Sequence, residues 1–119
     1  MKDFKKLRVW QKGIEITQEA YKFVSTFPKD ERFGLSSQIT RAAVSIPSNI
    51  AEGSSRNSNK DHARFIEISI GSTYEIETQV LIVLSLSFGD QVTGNKLIML
   101  ICEAQRMLVG FEKHLRGES

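Results

Sequence analysis

Apolar side chains recur every three or four positions along most of this chain, and that spacing predicts helices rather than strands. A first helix is expected from about Val9 to Ser25, with an inward stripe of Trp10, Ile14, Thr17, Tyr21 and Val24. Phe27-Pro28 closes it, because the residue before a proline is pushed out of helical geometry. A second helix follows Gly34 from Leu35 towards Ser55, with Leu35, Ile39, Ala42, Ala43, Ile46 and Ile50 as its stripe. Pro47 interrupts that stripe and removes a backbone hydrogen bond, so a kink is expected there. Gly53 to Asn59 reads as a turn, and Ser58 three positions before Asp61 resembles a capping box. A third helix runs from Asn59 to Ser87. Gly89-Asp90 ends it, a connection extends to Gly94-Asn95, and a fourth helix continues to Leu115 on Leu97, Ile101, Ala104, Leu108, Phe111 and Leu115.

Four helices joined by short turns predict an all-α fold, an antiparallel up-down-up-down four-helix bundle occupying residues 1–119 as one domain. Two stretches do not fit a lone bundle. Val80 to Leu84 with Leu86 and Phe88, and Leu97 to Ile101, are apolar on every side of their helices. A helix that is apolar all round needs cover all round, so Leu81, Ile82, Leu86, Phe88, Ile98, Met99 and Leu100 are candidates for a homo-oligomer interface. A monomer with some exposed apolar area and a protein that rests on a membrane surface are the competing readings of the same pattern.

Charge adds direction. The chain has 119 residues and net charge +2, too small to imply a polyanionic partner by itself. Its distribution is uneven: residues 1–12, 53–64 and 110–119 together hold ten positive and four negative charges, net +6, while the remainder is net −4. The predicted topology brings those three segments to one end of the bundle. Lys60 and Arg64 stand in the first turns of the third helix, where the helix dipole disfavours positive charge. A cluster set against local preference points to phosphate backbone, with Lys5, Lys6, Arg8, Arg56, Lys60 and Arg64 as the candidate contacts. Aromatic residues for base stacking are few there, Phe4 and Trp10 at most, so base reading is not expected.

Catalytic chemistry finds little support. A single cysteine, Cys102, excludes a disulfide framework and lies in an apolar segment where a core role is expected. Neither His62 nor His114 has glutamate three positions before it, which removes the di-iron bundle pattern. No nucleotide-binding or nucleophile-elbow motif is present, and no cofactor or metal is expected. Gln38, Ser45, Asn49, Glu52, Ser72, Glu75 and Gln79 read as inner polar residues, most simply a network that fixes helix register or contacts between subunits. Glu52 and Glu75 are the only carboxylates among them that could serve an acid–base site. Gly71-Ser72 is expected to allow close helix approach. No secretory signal or membrane span is visible, and a soluble, cytoplasmic protein is expected.

Two runs, Gln38-Ile39-Thr40-Arg41-Ala42-Ala43-Val44-Ser45-Ile46-Pro47-Ser48-Asn49-Ile50-Ala51-Glu52-Gly53 and Phe65 to Gln79, together with Leu7-Arg8-Val9-Trp10, resemble the bacterial four-helix-bundle family of 23S ribosomal RNA intervening-sequence proteins. Ser69 and Ser54 depart from residues common in that family. The resemblance implies a bundle that assembles into a pentamer, and kinship with the accessory protein of diversity-generating retroelements, a basic pentamer that binds nucleic acid and a reverse transcriptase. It brings no catalytic residues. The expected function is therefore a non-enzymatic homo-oligomer that binds RNA or DNA through its basic end. The alternative is an oligomeric scaffold for a protein partner, with incidental affinity for nucleic acid.

Overall fold

Each helix of this protein ends where local chemistry stops it. The computed structural model describes residues 3–31 and 34–117; Lys2 and Glu118 of the basic segments lie outside them. A short 3-10 turn at Phe4–Lys6 precedes α1 (Arg8–Val24), followed by α2 (Leu35–Ser54), α3 (Asn59–Leu86) and α4 (Gln91–Leu115). The Ser58 hydroxyl accepts the Asp61 amide at 3.1 Å and starts α3, as its spacing suggests. Ser87 ends α3 in the left-handed conformation (φ 59°).

The start of α4 differs from expectation. Asp90 does not end α3; it caps α4, accepting both the amide and the hydroxyl of Thr93, at 2.8 and 2.6 Å. Those bonds hold the Asp90 carboxyl below its ordinary pKa. Gly94, expected in the connection, lies inside the helix, where a Cβ would come within 2.8 Å of Leu84 and Phe23.

Consecutive helices pack side by side and α4 closes against α1, which leaves α3 diagonally across from α1. The bundle is 45 Å long, and its core is built from Ile16, Phe23, Ile39, Ile46, Ile50, Ile66, Ile76, Val80, Leu97, Ile101 and Leu108. The stripes of α2 and α4 point inward as predicted, but that of α1 is displaced by one position. Val9, Gly13, Ile16, Ala20 and Phe23 face the core, whereas Trp10, Ile14 and Thr17 are half-buried and Tyr21 is exposed. Two neighbouring stripes on this helix are apolar, and the core takes the one whose small members admit α2 most closely.

That close approach centres on Pro47. Helix α2 runs unbroken through it. A Cβ on Gly13 would sit 3.1–3.2 Å from the Pro47 ring, tighter than ordinary contact, so a glycine is what lets the ring nest against α1. Proline cannot donate to the carbonyl of Ala43, four residues back. Thr17, one turn beyond Gly13, donates its hydroxyl to that carbonyl at 3.2 Å while sharing it with Gly13 O at 2.8 Å. Thr17→Val keeps the shape and removes the donor. Urea denaturation should show a loss of about 1 kcal/mol, the usual net worth of one hydrogen bond.

Candidate nucleic-acid interface

The chain segments that carry the positive charge meet at one end of the bundle. The Phe4–Lys6 turn packs on α1 and α2, and Gln11 Nε2 donates to Lys5 O at 3.0 Å, holding the turn on the first helix. The start of α3 meets the end of α4, where the buried His62 ring lies edge-on to Phe111 at 5.4 Å and Arg116 pairs with Glu67 and Glu112. The turn between α2 and α3 joins the two groups. Gly53 makes that junction possible, since a Cβ there would lie 2.7 Å from the Cβ of Phe65 and 2.8 Å from Cδ2 of His62.

The six candidate phosphate contacts are all exposed, but they are not equivalent. Arg56 is engaged within the protomer: its guanidinium pairs with Glu52 at 3.0 Å and lies 4.5 Å over the Phe65 ring. Lys5 sits near the Phe4 ring, 5.9 Å from its centroid. Lys6, Arg8, Lys60 and Arg64 have no ion-pair partner among the described residues, and neither does Lys113, at the same end on α4. Lys60 and Arg64 share the exposed start of α3. Arg8 faces another side, in a cleft of about 440 Å³ between α1 and α4 that is also lined by Gln11, Lys12, Glu15, Glu103 and Met107. Lys12 is neutralised there by Glu103 and Glu15, whose hydrogen bonds raise its pKa. Charge balance alone counted Lys12 and Arg116 with the basic group; each is removed from it by one partner at helical spacing and one on another helix. Phe4 and Trp10 pack edge-to-face at 5.3 Å and are half-buried, so stacking surface at this end is small.

Three of the seven polar residues expected inside are outside. Gln38, Glu52 and Glu75 are exposed, because the wide outer faces of α2 and α3 turn those positions to solvent. The Ser45–Ser72 hydrogen bond (2.6 Å) sets the register of the antiparallel α2–α3 pair. That register puts Glu52 and Glu75 about ten residues apart along α3, some 15 Å at helical rise, too far to act on one group. Gln79 is buried, and its carbonyl oxygen has no hydrogen-bond partner among the described residues. Gly71 has nothing within 4 Å of a Cβ placed on it, so it does not serve close approach inside the protomer. Cys102 is half-buried rather than core; burial and then the Glu77 carboxylate, 3.8 Å away, push its pKa up and make it a poor nucleophile. Among the described residues no group of three or more His, Cys, Asp or Glu could hold a metal ion.

The predicted association surface divides as well. Leu81, Ile82, Leu86 and Met99 are exposed. Leu100 is only 6% exposed and belongs to the protomer's own core, which removes it from any contact surface. Phe88 and Ile98 are half-buried against that core, and Phe88 packs edge-on to Phe27 at 5.2 Å. No described helix is long and apolar enough to cross a membrane.

Known proteins share this architecture. The family described as 23S rRNA-intervening sequence protein matches residues 5–110. A crystal structure of a protein with unknown function from the S23 ribosomal protein family of Bacteroides thetaiotaomicron superposes with a TM-score of 0.79 at 22% identity. That superposition covers 88% of this chain and 98% of the other, and at such identity it speaks to the fold. No curated protein matches significantly.

Proposed function

Because the chain belongs to the 23S rRNA-intervening sequence protein family, we propose that it is a non-enzymatic, self-associating protein that binds RNA or DNA through the phosphate backbone. The observation that carries this reading is the concentration, at one bundle end, of cations without ion-pair partners among the described residues, Lys60 and Arg64 foremost. Lys60, in the first turn of α3, costs helix stability slightly, so a role outside the protomer accounts for it better than a role within it. Copies assembled side by side, as a pentamer in this reading, multiply that end into one broad positive surface. The exposed apolar side chains of α3 and α4 are the surface that association covers.

Backbone recognition has a simple signature. Affinity for a labelled RNA or DNA probe should fall linearly on a log–log plot against salt, with a slope of about −0.7 to −0.9 per phosphate neutralised. Exchanging the base sequence should change it little. Light scattering on the same samples should give a mass several times that of the 13.4 kDa protomer. Affinity that does not respond to salt overturns the backbone reading. Capture of one specific protein in high salt after nuclease treatment supports the scaffold alternative instead.

A further inference from the structure

Exposed apolar side chains gather near the Gly89 turn, where Leu86 is joined by Val92 and Met99 of α4, and they also continue along α3. Ile68, Tyr74, Leu81, Ile82 and Leu86 are each 41–60% exposed and make a ridge along the outer side of that helix. Between Phe65 and Phe88 the helix carries Glu67, Glu75 and Glu77 and no lysine or arginine. Glu67 is tied to Arg116, and Glu77 accepts from Gln105 at 2.8 Å. Glu75 is left exposed, with no ion pair among the described residues.

A groove of about 320 Å³ between α1 and α2 has the complementary character. Tyr21, Thr40, Arg41, Val44 and Ser45 line it. From Leu35 to Ala51 the only charged residue is Arg41, which also has no ion pair among the described residues. A helix side that faced only water would be expected to carry more charge over such a length.

The two surfaces are also matched in height. Ser45 bonds Ser72 across the antiparallel pair, so four residues back on α2 and three or four onward on α3 bring Arg41 level with Glu75. Both therefore stand at the same distance along the bundle axis, while α3 itself stands diagonally across from α1.

We propose that the α3 ridge of one copy seats in the α1–α2 groove of a second copy, with Glu75 of the first meeting Arg41 of the second. The inference rests on the self-association contained in the proposed function and supplies its geometry. Each face provides what the other lacks: an apolar ridge for a weakly charged groove, and one unpaired anion for one unpaired cation. Equal heights allow the copies to stand with parallel axes and no offset, so their basic ends share one side. Ridge and groove are different surfaces, so the contact is heterologous and each copy uses both.

Arg41→Glu and Glu75→Arg test the contact, with sedimentation and light scattering as readouts and circular dichroism as the check that these exposed substitutions leave the fold intact. Each variant alone should weaken assembly on the order of tenfold, since like charges then face one another across the contact. The double variant Arg41→Glu/Glu75→Arg should restore assembly, because every contact between copies again joins opposite charges. An equimolar mixture of the single variants should restore it only in part, since a ring of five must set at least one like pair side by side. Leu81→Lys should weaken assembly by removing ridge contact, and mixing it with either charge variant should not repair that loss. Assembly unaffected by either charge reversal overturns the contact while leaving self-association standing. Failure of the double variant to assemble overturns it too, since opposite charges would then face one another across every contact without effect. A wild-type monomer at micromolar concentration sinks self-association itself, and the contact with it.

Discussion

Replacing Arg56, Lys60 and Arg64 together by glutamate should lower affinity for an RNA or DNA probe on the order of 100-fold or more at low salt, and should flatten its salt dependence. The reversal removes three cations and adds three anions in one exposed region. The three residues do not contribute alike. Arg56 already neutralises Glu52 and lies over Phe65, so its reversal places two carboxylates side by side and disturbs the turn. Lys60→Glu with Arg64→Glu is the cleaner pair and should account for most of the loss. Negative charge at Lys60 favours the α3 dipole, so thermal stability should hold or rise slightly while binding falls. A protein that merely unfolds would lose both together. Unchanged affinity in the correctly folded triple variant removes this end of the bundle as the binding surface.

The largest expected effect on stability lies nearby, at Gly53. A Cβ at this position meets the Cβ of Phe65 at 2.7 Å and the carbonyl oxygen of His62 at 3.2 Å. Neither atom can swing aside without moving the α3 backbone. Gly53→Ala gains about 1 kcal/mol of helix propensity, and overpacking costs about 1–3 kcal/mol in a typical core. With backbone as the obstacle, the upper part of that cost applies, and urea denaturation should show a net loss of about 2 kcal/mol. Gly53→Val, bulkier and β-branched, should prevent the α2–α3 junction from closing. Gly110→Ala is the control: nothing lies within 4 Å of its Cβ, and that change should stabilise the protein by about 0.5–1 kcal/mol. Equal behaviour of Gly53→Ala and Gly110→Ala would contradict the packing described for the junction.

Spacing and punctuation were enough to read the bundle itself from the chain. Pro28, the Gly53–Asn59 turn and Gly89 break the helical periodicity at the places where the structure changes direction. Phase was less legible. On α1 the run of apolar residues offers two stripes one position apart, and the one that faces the core carries Gly13, against which Pro47 packs. Gly94 looked like a loop residue because a helical glycine is costly, yet Asp90 with Thr93 three positions later is a capping signal present in the chain. Glu52 and Glu75 share the helical spacing of inner residues, and periodicity cannot tell the margin of a buried face from its centre. At the basic end, the grouping of charge followed from topology, but which cations are spent did not. Lys12 and Arg116 each have one acidic partner at helical spacing, Glu15 and Glu112, and a second on another helix, Glu103 and Glu67, which no local pattern announces.

The hydroxyl that Thr17 lends to Ala43 has a bearing on how the protein is made. The middle of α2 is completed by a donor from α1, not by its own ladder, so this stretch reaches its full complement of bonds only once the two helices have met. Since α1 leaves the ribosome before α2, the donor is already present when the carbonyl that needs it emerges. Completing the middle of α2 is thereby coupled to its docking on α1.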